Sequence, residues 1–292
     1  MQLTGADLRR LAELAVVAAT EAGELIARSR PTDVAHKASG ATPASQVVTD
    51  VDRASEALIV DRLSASLERF ELALLTEERD DDGGRLAADH FWCIDPLDGT
   101  LPFIEGVPGY AVSIALVARD GTPLIGAIHD PVTATVRLAV AGGGAFRDGR
   151  PWSVERRRGG AVLSVFADRS FRARDDHDIV MASLDRVARE SGLSDVRSQA
   201  PRGAVMNACG VLDDPPGCYL KFPAPSGGGS LWDFAATACL FGEVGAVATD
   251  IHGAPLDLNR PDSTFMNHRG VLFATDRALA GHIRAALHRS AD

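Results

Sequence analysis

The pattern of this 292-residue chain predicts a layered α+β/α/β architecture, with an antiparallel-sheet half over residues 1–155 and a mixed α/β half over residues 156–292. Three observations carry that expectation. Apolar residues at spacings of three and four mark helices at both ends of the chain. A run of short period-two segments, divided by Gly, Pro and Asp, follows Tyr110. Beyond that run, strand-like and helix-like patterns alternate.

Leu8, Leu11, Ala15, Ala18, Ala22 and Leu25 form the apolar stripe of a first helix. A polar loop rich in Gly, Ser, Thr and Pro follows, from Arg30 to about Ser45. A second helix starts at Thr49 or Asp50, either a good N-cap, and is expected to bury Ala54, Leu58, Ile59 and Leu63. "ELALL" (71–75) and "HFWCID" (90–95) read as short buried strands, with "DDDGG" (80–84) as a solvated turn between them. From Tyr110 the period is two, and the segments 123–129, 135–140 and 144–147 continue an antiparallel meander. "GRPWSVERRRGG" (149–160) mixes turn residues with charge and marks the boundary between the halves. The second half reads as a strand "AVLSVF", a helix about 177–190, a short helix near 203–209, a strand around 217–222 and helices about 231–242 and 276–289.

A composition of 46% hydrophobic and 24% charged residues supports sizeable cores. A net charge of −10 argues against a general nucleic-acid binder, which needs a basic face to displace counterions. The dense basic run Arg156–Arg158 reads as a solvated loop beside glycines. No window has the unbroken apolar length of a membrane span. The first 29 residues carry acids throughout and read as a folded helix rather than a signal peptide, which predicts a cytoplasmic protein. Cys93, Cys209, Cys218 and Cys239 lack metal-site spacings and read as buried thiols, with a Cys209–Cys218 disulfide as the alternative.

The chemistry concentrates in "CIDPLDGT" (93–100). Pro96 forces Asp95 into an extended conformation that ends the strand, and Gly99 permits a turn from which Thr100 opens a helix. Pro102 is tolerated if it falls in the first helical turn. Asp95 and Asp98 then lie on a strand-to-helix connection with free N–H groups beside them, a place that attracts phosphate. Two carboxylates so close must share a proton or a cation. Hard oxygen ligands suit Mg2+. A helix cap at Asp98 and a turn former at Asp95 would explain each acid alone, but not both beside a buried strand.

"TEE" (76–78), "IDPLDGT" (94–100) and "LWDFAAT" (231–237) together resemble the three signature blocks of the inositol monophosphatase family, in order and spacing. The resemblance covers about residues 8 to 289. It implies the α-β-α-β-α sandwich of the sugar-phosphatase type and a Mg2+-dependent, lithium-sensitive phosphomonoesterase that works on a small phosphorylated metabolite, commonly as a homodimer. Two or three Mg2+ ions are implied per site. By the same resemblance Glu77 and Asp95 hold one ion, with Asp95 bridging to a second and the Leu97 carbonyl adding a ligand, while Asp98 and Asp233 complete the second. Asp50 would work with Thr100 to orient the attacking water, and the phosphate would rest on the amides of Gly99 and Thr100. Glu77 thus counts with Asp50 and Thr100 among the catalytic residues.

Each residue has a plainer reading: a solvated Glu77–Glu78 pair, a helix-dipole role for Asp233, an N-cap at Asp50. Leu101-Pro102 stands where the family usually has a polar run, and Thr76 where inositol phosphatases usually have glycine. Lys221 lies where those phosphatases place an acid that grips a sugar hydroxyl. A lysine there favours a second anionic group on the substrate, as in adenosine 3′,5′-bisphosphate; a surface lysine snorkelling from a strand is the alternative. Lys37 is a weaker candidate for the phosphate, and "PSGGGS" (225–230) reads as a linker. Inositol 1-phosphate is the leading substrate, a bisphosphate nucleotide the runner-up, and a catalytically inactive metal-binding module the reading from another class. The glycines of "AGGGAFRDG" do not make a dinucleotide motif, no triphosphate-binding loop occurs, and the acids do not fall in one Ca2+ loop.

Overall fold

The computed structural model describes residues 3–30, 34–36, 47–154 and 161–289. Lys37, the run Arg156–Arg158, most of the polar loop before Val47 and the expected 155/156 boundary lie outside the described residues.

Helix α1 (Gly5–Arg28) starts at a capping box between Thr4 and Asp7 and buries the predicted stripe from Leu11 to Ala22. Strands β1 (Val34–His36) and β2 (Val47–Thr49) pair antiparallel and lead into α2 (Asp50–Phe70). Then come β3 (Ala73–Thr76), a single turn α3 (Gly84–Ala87), β4 (His90–Asp98) and the short α4 (Thr100–Glu105). The meander follows as β5 (Ala111–Ala118), β6 (Pro123–Asp130), β7 (Thr135–Val140), β8 (Gly144–Arg147) and β9 (Arg150–Pro151). Strands β3 to β9 stand side by side in sequence order in a seven-stranded sheet, antiparallel apart from the parallel β3–β4 pair.

The second half runs β10 (Val162–Phe166), α5 (His177–Glu190), β11 (Asp195–Ser198), α6 (Ala204–Asp213), β12 (Gly217–Lys221), α7 (Leu231–Glu243), β13 (Val247–Thr249), β14 (Val271–Ala274) and α8 (Arg277–His288). Its five strands are ordered β11-β10-β12-β14-β13, parallel among the first three and antiparallel beyond.

Three apolar clusters define five layers. Helices α1 and α2 cover one face of the first sheet with Leu11, Ala18, Ile59 and Leu63 against Trp92, Ile94, Ile114 and Leu116. The opposite face meets α6 and α7, which in turn pack on the second sheet; Phe91, Ala115, Val205, Phe234, Phe241 and Phe273 share that core. The outer face of the second sheet is closed by α5 and α8 through Leu184, Val187, Leu272 and Ile283. This is the α-β-α-β-α sandwich expected. The period of two in β5 has a plain physical sense: Val112, Ile114 and Leu116 face α1 and α2, while the small Ala111, Ser113 and Ala115 let α7 approach the other face. A Cβ at Gly126 would likewise collide with the backbone of Ala236 on α7.

Some expectations change. Ala54 is exposed; α2 buries Asp52, Ser55 and Glu56 at its N-terminal end before Ile59 and Leu63 take over. The "DDDGG" turn is not merely solvated, because Asp81 accepts a 2.7 Å hydrogen bond from the buried Arg85 guanidinium. The helix near 203–209 runs on to Asp213, and β1, β2, β9, β11, β13 and β14 were not foreseen. All four cysteines are buried free thiols, so Cys209 and Cys218 are not bridged. Among the described residues no helix is long and apolar enough to cross a membrane.

Candidate active site

Three residues apart on a regular strand, Asp95 and Asp98 would project from opposite faces. Pro96 cannot donate to the ladder, and the β4–β5 register shifts between Asp95 and Asp98. The irregularity turns both carboxylates to one side. It is held from outside by Ser55 of α2, whose hydroxyl donates to the Pro96 carbonyl at 2.8 Å, and from within by the Leu97 N–H, which donates to Asp95 Oδ1 at 3.0 Å. Gly99 follows with φ 85°, where a side chain would meet the Gly109 carbonyl at 2.7 Å.

Asp233 arrives from the other half as the third residue of α7, in a capping box whose Ser230 N–H donates to Asp233 Oδ2 at 2.9 Å. Ser113, the cross-strand partner of Asp95, donates to the Trp232 carbonyl at 3.1 Å and fixes the start of α7 beside β4. Candidate ligand oxygens of Asp95, Asp98 and Asp233 all lie within 4.8 Å of one another. Asp98 also accepts from the N–H groups of Ala204 and Val205 at 3.0 Å each, so it caps α6 across the two halves. Gly203 is required there, because a Cβ would fall on the Asp98 carboxylate.

Burial, followed by repulsion from Glu77, Asp98 and Asp233, pushes the Asp95 carboxyl well above the ordinary range. Asp98 is raised by burial and by Asp233, against the pull of its two backbone donors. Asp233 is pushed up to about 6, by burial foremost, with Lys221 opposing. Glu77, at the end of β3, hydrogen-bonds Asp95, and its N–H continues the ladder to the Ile94 carbonyl at 3.2 Å. Buried carboxylates with so much unbalanced negative charge, all hard oxygen donors, fit a divalent cation such as Mg2+.

Thr100 sits at the first position of α4, and its hydroxyl donates at 3.1 Å to Asp52 Oδ1, with the Leu97 carbonyl at 3.4 Å. The acid beside Thr100 is therefore Asp52, not the expected Asp50. Thr49 is the N-cap of α2; Asp50 is its first residue and Asp52 its third, about 200° further round the helix. The Thr49 N–H and hydroxyl hold Asp52 Oδ2 at 2.8 and 2.5 Å, which leaves Oδ1 for Thr100. Burial raises the Asp52 pKa against those hydrogen bonds. A T-x-x-D capping box was legible in "TDVD" and points to the right acid.

Lys221 Nζ lies 2.7 Å from Asp168 Oδ2, and only 18% of its side chain is exposed. Burial opposes its charge, but Asp168, Asp233 and Asp98 together hold its pKa above the usual lysine value. Asp168, which sequence reasoning passed over, also accepts from the Tyr219 hydroxyl at 2.8 Å and from Asn207 Nδ2 at 3.3 Å. The "PSGGGS" stretch is no free linker either: Met266 N–H donates to the Gly229 carbonyl at 2.8 Å, and a Cβ on Gly229 would press on Asp233 at 2.6 Å.

Residues 7–291 match the model of the "Inositol monophosphatase family". The chain is 34% identical over 254 residues to a Nus factor SuhB of Pseudomonas aeruginosa, covering 85% of this chain and 88% of that one. It is 27% identical over 257 residues to an inositol monophosphatase 2 of Solanum lycopersicum, covering 86% and 91%. Among solved structures it is similar to the extragenic suppressor protein suhB of Bartonella henselae, with a TM-score of 0.71, 26% identity and coverage of 95% and 98%. The inositol monophosphatase of Anabaena shares the fold at a TM-score of 0.70, 23% identity and 97% coverage of each chain.

Proposed function

Because the chain belongs to the inositol monophosphatase family, whose members hydrolyse phosphate monoesters, we propose that it is a Mg2+-dependent phosphatase acting on inositol 1-phosphate. The observation that carries this reading is the convergence of Asp95, Asp98 and Asp233 beside a Thr100–Asp52 pair. Those three carboxylates, with Glu77 and the Leu97 carbonyl, would hold the Mg2+. When bound, Mg2+ neutralises phosphoryl oxygens and lowers the pKa of water in reach of them.

The chain's own groups do the positioning that phosphoryl transfer mainly requires. The amides of Gly99 and Thr100 face the phosphate where β4 turns into α4. Thr100 orients the attacking water, whose proton passes to the Thr100 oxygen as the Thr100 proton passes to Asp52 Oδ1. Asp52 suits this work because burial raises its basicity while the Thr49 contacts keep it in place.

The Asp168 charge balances Lys221, so this wall offers a donor and an acceptor side by side. That suits the hydroxyls of a polyol ring better than the second phosphate of a bisphosphate nucleotide. The test is phosphate release from inositol 1-phosphate, adenosine 3′,5′-bisphosphate and fructose 1,6-bisphosphate under one set of conditions with Mg2+. Inositol 1-phosphate is expected to give the highest kcat/KM. A tenfold preference for the nucleotide would assign the chain to the bisphosphate branch, and no release from any of the three would favour an inactive binding module.

A further inference from the structure

Glu56 is a buried acid that the proposed chemistry does not use, only 5% exposed and one helical turn beyond Asp52 on α2. Its Oε2 accepts from the Thr76 hydroxyl at 2.6 Å and from the Glu78 N–H at 3.2 Å, and its Oε1 accepts from Arg79 Nε at 2.7 Å. These contacts bracket Glu77 on both sides. Residues 52, 55 and 56 share one face of the helix. On that face Asp52 meets Thr100, Ser55 meets the Pro96 carbonyl and Glu56 meets the turn around Glu77. One rigid helix therefore spaces the proton acceptor, the strand irregularity and the outermost acid of the site.

We propose that Glu56 is a positioning residue that fixes Glu77 for cation binding by clamping Thr76, Glu78 and Arg79 to helix α2. The proposal rests on the metal reading of the site given above. A buried carboxylate that receives a hydroxyl, an amide and a guanidinium is strongly held, since charge-assisted hydrogen bonds are about twice as strong as neutral ones. Thr76 is then explained as well: glycine at this position has no hydroxyl to give to Glu56. Groups that orient a metal ligand without touching the metal typically alter affinity by about 10- to 100-fold when removed.

Calorimetric titration of Mg2+ into the metal-free full chain tests this, with a thermal melt of each variant in chelator to confirm folding. Glu56→Ala is expected to weaken Mg2+ binding about tenfold or more, with turnover recovered as Mg2+ is raised. Thr76→Val removes the same hydrogen bond from the other side and should weaken binding in the same direction, while Thr76→Ser restores affinity to within about twofold of wild type. Folded Glu56→Ala and Thr76→Val proteins that bind Mg2+ as tightly as wild type would overturn the proposal while leaving the function standing. A wild-type chain that takes up no Mg2+ would instead remove the metal reading on which both depend.

Discussion

Asp52 and Asp50 are two residues apart and chemically identical, yet the helix separates their roles. Asp52 reaches Thr100 because Thr49 turns the chain into α2 and holds the other carboxylate oxygen. Asp52→Asn is expected to lower kcat about 100-fold or more, the usual scale for a lost general base. Asp50→Asn should cost much less, and steady-state kinetics on both variants decides between them; equal losses would return Asp50 to the mechanism. Asp98 works differently, since it belongs to the acidic cluster and also receives the first N–H groups of α6. Asp98→Asn should abolish most turnover while the folded baseline by circular dichroism stays intact, and near-native rates would count against its place in the metal site. At this scale the acids of the cluster were legible because their motifs are dense. Asp168 and Glu56 were not, because their importance lies in partners that are distant in sequence.

Two helices present carboxylates of the candidate site by the same local device. In α2 and α7 the acid at the third helical position is fixed by its N-cap residue, Thr49 or Ser230, so one oxygen is tied and the other is aimed. Removing such a cap typically costs about 1 kcal/mol. Ser230→Ala should lower the melting temperature modestly while leaving Mg2+ affinity within about twofold, because the donor that holds Asp233 is the backbone N–H, which alanine keeps. A large loss of Mg2+ affinity would show that the Ser230 hydroxyl, not its backbone N–H, orients Asp233. The long helices were readable because their stripes repeat over many turns, as Leu11, Ala15, Ala18 and Ala22 do in α1. Strands β13 and β14 were missed for the opposite reason: three or four residues such as Val247–Thr249 carry too short a pattern to distinguish a strand from a loop. In α2 the expected apolar face failed at Ala54 because the buried face of its first turns carries Asp52, Ser55 and Glu56, which are satisfied by hydrogen bonds rather than apolar contacts.

Across the molecule, the site lies where the C-terminal ends of β3 and β4 meet the N-terminal ends of α2, α4, α6 and α7. Helix N-termini carry positive partial charge and favour anions. They ease the crowding of Asp95, Asp98 and Asp233 without removing it, since all three pKa values are still raised, mainly by burial. A carboxyl raised by folding holds its proton more tightly in the folded chain. The stability it lends is complete below the unfolded value of 3.8 and is lost as pH rises through the folded value, about 6 for Asp233. The metal-free protein should therefore melt at lower temperatures as pH climbs through that window, and millimolar Mg2+ should raise the melting temperature most at its upper end. A melting temperature independent of both would mean that the carboxylates are not the strained cluster described. The layered α/β character was legible as alternating patterns, whereas the five-layer plan followed only from the resemblance of the three motif blocks. The pairing of Asp98 with α6 was not, because it joins residues more than a hundred positions apart.

The central claim is that these carboxylates work by holding a divalent cation against a phosphate monoester. Its most direct measurement is phosphate release from inositol 1-phosphate by the full chain, before chelation, after exhaustive chelation and after Mg2+ is restored. The account predicts loss of release on chelation and recovery with Mg2+. Release that continues undiminished in the stripped protein would contradict it.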